Sequence, residues 1–368
     1  MNFRLLFVFF FTGLVFFSCR TTAKKETTKR PNIVFIMSDD HAYQAISAYS
    51  DKLIQTPNID RIAKEGMLFT HASVTNSICA PSRAVILTGK HSHINGKIDN
   101  LSPFDTTNVT FPRLLQKAGY QTAMFGKLHF GNNPKGFDEF KILPGQGDYY
   151  NPVFHTQKGD TTISGYVTDI ITDLTLDWME KRRDTAKPFL LMYLHKAPHR
   201  SWLPAERHYK EFTKKTYPLP ETLFDDYRTR GEASKTAEMG IGKDMLLQYD
   251  LKIPENILND LGIKERLGAG GVNLLNQQQK EDWDAVYNPI AEKFKKNFNT
   301  MNDSLLTIWK YQRYLQDYLG TIAAVDENVG RLLNYLDNEN LSENTIVIYT
   351  SDQGFYLGEH GWFDKRFM

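Results

Sequence analysis

The sequence predicts an α/β domain with a mostly parallel sheet and helices on both faces. Two short, branched apolar runs, NIVFIM at 32–37 and TIVIY at 345–349, have the length and composition of strands buried on both sides. Further strand-like runs at 121–125 and 188–194 alternate with stretches of helical period, the signature of parallel strands joined by helices. Both branched runs also end in carboxylates, Ser38-Asp39-Asp40 and Thr350-Ser351-Asp352-Gln353. Ligands gather at the carboxyl ends of strands in such sheets, so the two ends of the chain are expected to meet in one site.

Taken in order, the chain opens with Arg4 before an apolar stretch, 5–17, that ends at Ser18-Cys19. That stretch is too short to span a bilayer and has the shape of an export signal. A small residue before Cys19 suggests a lipoprotein signal over 1–19, with Cys19 lipidated and the membrane engaged only through that anchor. Phe16 and Phe17 fit the usual pattern for lipidation poorly, which leaves a plain signal peptide open. Either way the protein is expected to be exported, to the periplasm or to the outer membrane and cell surface. Residues 20–30 hold four Thr, three Lys and two Arg with almost nothing to bury, and read as a flexible tether. The folded domain is expected over 31–368. Helical patterns follow at 56–66, 81–88, 111–119, 164–181 and 303–337. The stretch 200–301, rich in charge, Tyr and Asn/Gln and without clear period, reads as a surface insertion that shapes the rim of the site.

Composition bounds the function. A chain of 368 residues, 41% hydrophobic and 24% charged, supports one large domain, alone or with a smaller attachment. A net charge of +1 does not suit a protein that tracks nucleic-acid phosphates. Cys19 and Cys79 are the only cysteines. Once Cys19 is acylated or removed, no intramolecular disulfide can form despite the oxidising compartment.

Cys79 therefore calls for explanation. Pro81 suits the first turn of a helix, which puts Cys79 at the helix entrance, where free amides favour an anion. Arg83 adds a permanent positive charge nearby. Asp39, Asp40, Asp352 and Gln353 offer four oxygen-bearing side chains, a donor set for a hard divalent cation. Alone, Asp39-Asp40 reads equally as a turn or a helix cap. Lys127 and His129 in GKLHFG share a face if that stretch is extended, although a solvated lysine and a loop histidine fit as well. HKAPHRSW brings His195 and His199 after a strand, and LGEHGWFDKRF brings Glu359, His360 and Lys365.

The stretch CAPSRAVILTG, 79–89, resembles the signature of the type I sulfatases, C-x-P-S-R followed by L-T-G. The resemblance covers the chain from Pro31 to Met368 and implies the alkaline-phosphatase-like α/β fold. It implies that a maturase converts Cys79 to formylglycine (3-oxoalanine), whose hydrate attacks sulfur with one hydroxyl and expels sulfate through the other. It assigns calcium to Asp39, Asp40, Asp352 and Gln353 together with residue 79; many relatives carry Asn or His where Gln353 stands. Arg83 would stabilise the ionised diol, Lys127 and Lys365 would bind sulfate oxygens, and His129 would remove the proton that releases sulfate. His199 would protonate the departing sugar oxygen, with His195 a core or supporting residue and Glu359 and His360 structural or at the rim. The wording around KAPHR and GFYLGEHGWFDKRFM is most similar to exported bacterial sulfatases of glycosaminoglycan or mucin sugars, N-acetylglucosamine-6-sulfate among them. Relatives continue past the K-R-F segment into further strands and a smaller C-terminal subdomain, so the catalytic domain is expected to be incomplete at its C-terminus. Two other readings stay open: a phosphatase or phosphodiesterase of the same superfold, for which Ser or Thr would replace Cys79, and an inactive, glycan-binding lipoprotein.

Overall fold

Why the two ends of the chain should meet follows from the order of elements in the computed structural model, which describes residues 29–367. Apart from Lys29 and Arg30, the signal and tether expected over 1–30 lie outside the described residues. The first half comprises β1 (Asn32–Ser38), α1 (Pro57–Glu65), α2 (Cys79–Thr88), α3 (Ser92–Asn95), α4 (Phe111–Lys117), β2 (Gln121–Lys127), β3 (Glu139–Leu143), β4 (Val153–Thr156) and β5 (Gly159–Thr162). The second half comprises α5 (Val167–Lys181), β6 (Phe189–Leu194), α6 (Tyr209–Phe212), α7 (Glu232–Thr236), α8 (Glu255–Asp260), α9 (Gln277–Asn297), α10 (Asp303–Asn338), β7 (Thr345–Ser351) and a two-residue ribbon, β8 (Tyr356–Leu357) with β9 (Phe363–Asp364).

Seven strands form one sheet in the order β5-β4-β3-β2-β6-β1-β7. Five run parallel; β4 and β5 continue the β3 edge as an antiparallel hairpin. The expected mostly parallel sheet is present, and β3–β5 extend it beyond the strands read from sequence. Ser38 of β1 pairs with Ser351 of β7. Asp39 and Asp352 thus leave neighbouring strands side by side, although 313 positions separate them in the chain.

Alternation along the strands explains the layers. Val34, Ile36, Ala123, Phe125, Leu191 and Tyr193 face one core with Trp178 of α5 and Val325 and Leu332 of α10. Met37, Met124, Leu190 and Met192 face the other, against Ala80, Ala84 and Leu87 of α2. Helices cover both faces, as expected. Gly126 allows β2 to approach β6: its φ is +109°, and a Cβ there would lie 1.7 Å from the Leu194 carbonyl oxygen. Across the layer, Asp326 of α10 accepts hydrogen bonds from the Asn58 and Ile59 amides at 3.0 and 2.9 Å, capping α1 from another helix.

The reading of 200–301 as a surface insertion is corrected. Trp202, Phe212, Ile241, Met245, Leu251, Ile257 and Phe294 are buried and form a second core against Tyr311, Tyr314, Leu315 and Tyr318 of α10. The segment is structural, and α10 has apolar cores on both sides of it. Among the described residues, no helix is long and apolar enough to cross a membrane.

Candidate active site

Three backbone positions bring the site together. β1 ends before Asp39 and Asp40, β7 ends before Asp352 and Gln353, and the first turn of α2 carries Cys79. Asp40 adopts φ +66°. That turn is held by its amide on Asp352 Oδ1 at 3.1 Å and by the Tyr318 hydroxyl, which donates to the Asp40 carbonyl at 2.8 Å. Asp39, Asp40 and Asp352 place carboxylate oxygens within 4.8 Å of one another, and all three are buried.

Cys79 lies beside this cluster. Its Sγ donates to Asp39 Oδ1 at 3.4 Å, and the ammonium groups of Lys365 and Lys127 stand 3.3 and 4.0 Å from it. Burial pushes the thiol up to about 12, with Asp352 and Asp40 adding to the effect against Lys365 and Arg83. An unmodified thiol here is a protonated, fully buried group, a poor nucleophile as it stands.

Cations answer the carboxylates one by one. Arg83 Nε donates to Asp352 Oδ2 at 2.9 Å, and its Nη2 lies 3.7 Å from Asp39. Lys127 Nζ pairs with Asp39 and also donates to Gln146 Oε1. Lys365 Nζ bridges both oxygens of Asp40 at 2.6 and 2.7 Å. Buried ion pairs of this density persist only when each charge is hydrogen-bonded.

His199 points its Nε2 at Asp40 Oδ2, 3.8 Å away, while Nδ1 donates to the Arg200 carbonyl. A carbonyl only accepts, so that bond puts the neutral ring's proton on Nδ1 and leaves Nε2 facing the site. Burial, together with Lys127, Lys365 and Lys196, holds the ring well below the usual histidine range.

The structure thus brings together Asp39, Asp40, Cys79, Arg83, Lys127, His199, Asp352, Gln353 and Lys365. His129 departs from the expectation of a shared strand face. β2 ends at Lys127, and His129 turns out of the strand with φ +65°. Its ring is still within the field of Lys127, Arg83 and Lys365, and burial with these charges lowers it to about 3. His195 is a buried residue edge-on to Tyr193, ring centroids 4.3 Å apart. Glu359 accepts from Gln44 at 2.9 Å and His360 bonds Asp225 at 2.8 Å, both away from the carboxylate cluster.

Two site residues escaped the sequence reading. Gln146 and Lys196 lie on loops; the flanking glycines of PGQGD signal a tight turn, but nothing in the pattern aims it at the site.

The donor set fits a hard divalent cation such as calcium: three clustered buried carboxylates, plus Gln353 Oε1, which is buried without a hydrogen-bond partner while its Nε2 donates to Asp40. Asp39, Asp40, Asp352 and Gln353 are the residues that would hold it.

Comparison with known proteins agrees with this geometry. The Sulfatase family model matches residues 31–366, nearly the whole described chain. The chain belongs to the sulfatase family. It is 50% identical over 350 residues to an N-acetylglucosamine-6-O-sulfatase of Bacteroides thetaiotaomicron, covering 94% of this chain and 62% of that protein. Human iduronate 2-sulfatase is 25% identical over 377 residues, covering 94% of this chain and 58% of the relative. This sulfatase-family chain therefore spans about three fifths of the length of those relatives. A solved structure described as being in complex with its substrate, D-glucosamine-2-N,6-O-disulfate, superposes with a TM-score of 0.87 at 49% identity, covering 92% of this chain and 69% of that one. The fold is the alkaline-phosphatase-like α/β fold of sulfatases.

Proposed function

We propose that this chain carries the catalytic centre of a carbohydrate sulfatase that hydrolyses a 6-O-sulfate ester of an N-acetylglucosamine-type sugar derived from glycosaminoglycans. The observation that carries the reading is the buried Cys79 at the start of α2, between three carboxylates and the ammonium groups of Lys127 and Lys365. The 50% identity to an N-acetylglucosamine-6-O-sulfatase supports the choice of sugar.

A sulfate monoester is an anion, and attack on it needs positive charge around its oxygens. Lys127 and Lys365 supply two such charges, and Arg83 offers a third toward residue 79. Converted to formylglycine and hydrated, residue 79 would supply an oxygen nucleophile and a second hydroxyl through which sulfate is released. Calcium held by Asp39, Asp40, Asp352 and Gln353 would add charge compensation for the sulfate oxygens. His199 presents Nε2 to the site; once that nitrogen is protonated, with the bound anionic sulfate offsetting the neighbouring lysines, it is placed to pass the proton to the departing sugar oxygen. His129, neutral among cations, is suited to accept the proton that accompanies sulfate release.

The test is peptide mass spectrometry of the protein from a host that matures sulfatases, combined with sulfate release from N-acetylglucosamine-6-sulfate. A loss of about 18 Da at Cys79, unlike any oxygen-gaining cysteine product, together with sulfate release abolished by Cys79→Ala, is expected. Sulfate release by the Cys79→Ala variant at the parent rate would overturn the mechanism, and an unmodified, inactive protein would favour a glycan-binding role.

A further inference from the structure

Lys196 is buried, 4% exposed, in the loop between β6 and His199. Among the described residues its one hydrogen bond is donated to the Gln146 carbonyl at 3.2 Å, and its ammonium lies 4.8 Å from the centre of the Tyr149 ring. An ammonium has three protons to place, and among the described residues no ion pair answers this one. Arg83, Lys127 and Lys365 are each matched to a carboxylate among Asp39, Asp40 and Asp352. Lys196 has no such close partner among the described residues: Asp148 is the strongest charge acting on it, followed by Asp40, Cys79 and Lys365. Burial alone would favour replacing such a group.

Gln146 links this residue to the sulfate-facing side. Its carbonyl receives Lys196, and its amide oxygen receives Lys127 Nζ. Gly145 and Gly147 on either side take positive φ, +52° and +68°, and a Cβ at Gly147 would lie 2.7 Å from Leu143. The Gly147 amide closes the turn on the Pro144 carbonyl at 2.9 Å. Gln146 is therefore presented by a turn whose shape its neighbours fix. Tyr149, under Lys196, donates its hydroxyl to the His199 carbonyl at 2.7 Å, so the same loop also anchors the His199 segment.

We infer that Lys196 is a third anion-binding lysine of this site, and that Gln146 is the positioning residue that ties it to Lys127. The inference rests on the sulfatase reading above and deepens it: a substrate sulfate would be received by three ammonium groups, two of them set by one glutamine.

The experiment uses the full-length protein with inorganic sulfate as the probe, comparing wild type with Lys196→Met, Gln146→Glu and Gln146→Ala. Sulfate affinity is read by calorimetry and by product inhibition, alongside kcat/KM on N-acetylglucosamine-6-sulfate and thermal stability. Lys196→Met is expected to weaken sulfate binding at least tenfold while holding or raising Tm, because it removes a buried charge that has no ion pair. Gln146→Glu keeps an acceptor for Lys127 but adds a negative charge. It is expected to stay folded and lose sulfate affinity about tenfold, mainly through KM; a purely structural role would tolerate it. Gln146→Ala should lose kcat/KM by a similar factor. Sulfate affinity within twofold of wild type in both Lys196→Met and Gln146→Glu would overturn the inference. If wild type itself neither binds sulfate nor releases it from the ester, the sulfatase reading fails and takes the inference with it, an outcome distinct from active wild type with unaffected variants.

Discussion

Replacing Arg200 by alanine tests how the His199 segment is held. Arg200 forms a two-pronged pair with Asp250, Nε to Oδ1 at 2.6 Å and Nη2 to Oδ2 at 2.7 Å. Asp250 is fully buried, and the only other hydrogen-bond donor to its carboxylate among the described residues is the Leu246 amide at 2.8 Å. The guanidinium also covers the rings of Tyr249 and Phe363, 5.3 and 5.0 Å away. Truncation would leave a buried carboxylate almost unpaired, a defect that costs roughly 3–5 kcal/mol. Because the Arg200 side chain is 27% exposed, solvent partly screens the pair, and the lower end, about 3 kcal/mol, is expected. At about 2.1 cal/mol/K of unfolding entropy per residue over 31–367, that is a fall in Tm of about 4 °C. A double-mutant cycle with Asp250→Ala, followed by urea unfolding, should give a coupling of about 2 kcal/mol, since removing both partners leaves no orphaned charge. Arg200→Lys, which keeps the charge but not the fork, should fall between wild type and alanine. A coupling below about 0.5 kcal/mol would refute the argument that this pair anchors the segment.

Three further outcomes follow from the fold. Gly126→Ala would drive a methyl into the Leu194 carbonyl at a positive-φ position, and should yield mostly insoluble protein, or a loss of more than about 3 kcal/mol in urea unfolding; soluble protein of parent stability would contradict the close approach of β2 to β6. Asp326→Ala removes the cap of α1 and should cost about 2 kcal/mol, with Asp326→Asn recovering part of it, as read by denaturant titration. Asp225 is held at about 2, below its ordinary 3.8, by the Tyr227 amide, His360 and Arg230. Its folded pKa is depressed, so its contribution is complete above about pH 4 and is lost as pH falls toward 2. The stability gap between wild type and Asp225→Asn should close across that window in acid unfolding; a gap that stays constant would contradict it.

Much of the site was legible because its residues sit where strands stop. Branched apolar runs ending in Asp39-Asp40 and Asp352-Gln353 located two strand ends, and parallel pairing does the rest by placing them side by side. The same logic failed for α9. Its buried residues, Trp283, Tyr287, Ala291 and Phe294, make one narrow stripe at spacings of four, four and three, in a background of Gln, Lys, Glu and Asn with Pro289 inside. So thin a stripe gives little periodic signal, yet it closes an aromatic core. The strand β5 was missed because Gly159-Asp160-Thr161-Thr162 is exposed and has no apolar face to reveal it, and β4 because its four residues bury only Phe154, too short a run to show a period. His129 was read on the face of Lys127 because two-residue spacing means a shared face only while the strand continues, and this strand ends at Lys127. Gln146 and Lys196 were invisible for a different reason. Their importance lies in which loops meet in space, and that is a property of topology rather than of local sequence.

The distance in sequence between Asp40 and Lys365, 325 positions, has a consequence for timing. As the chain is synthesised, the acidic turn after β1 and the helix carrying Cys79 emerge long before β7 and Lys365, which close over them. Until those last segments arrive, Cys79 lacks Lys365, one of the neighbours that bury it, and under the formylglycine proposal that interval of unfinished folding is when a maturing enzyme would have room to reach its sulfur. On that proposal, substitutions that hasten closure would shorten the interval, so a variant selected only for fast folding could leave the ribosome stable and soluble with Cys79 still a thiol.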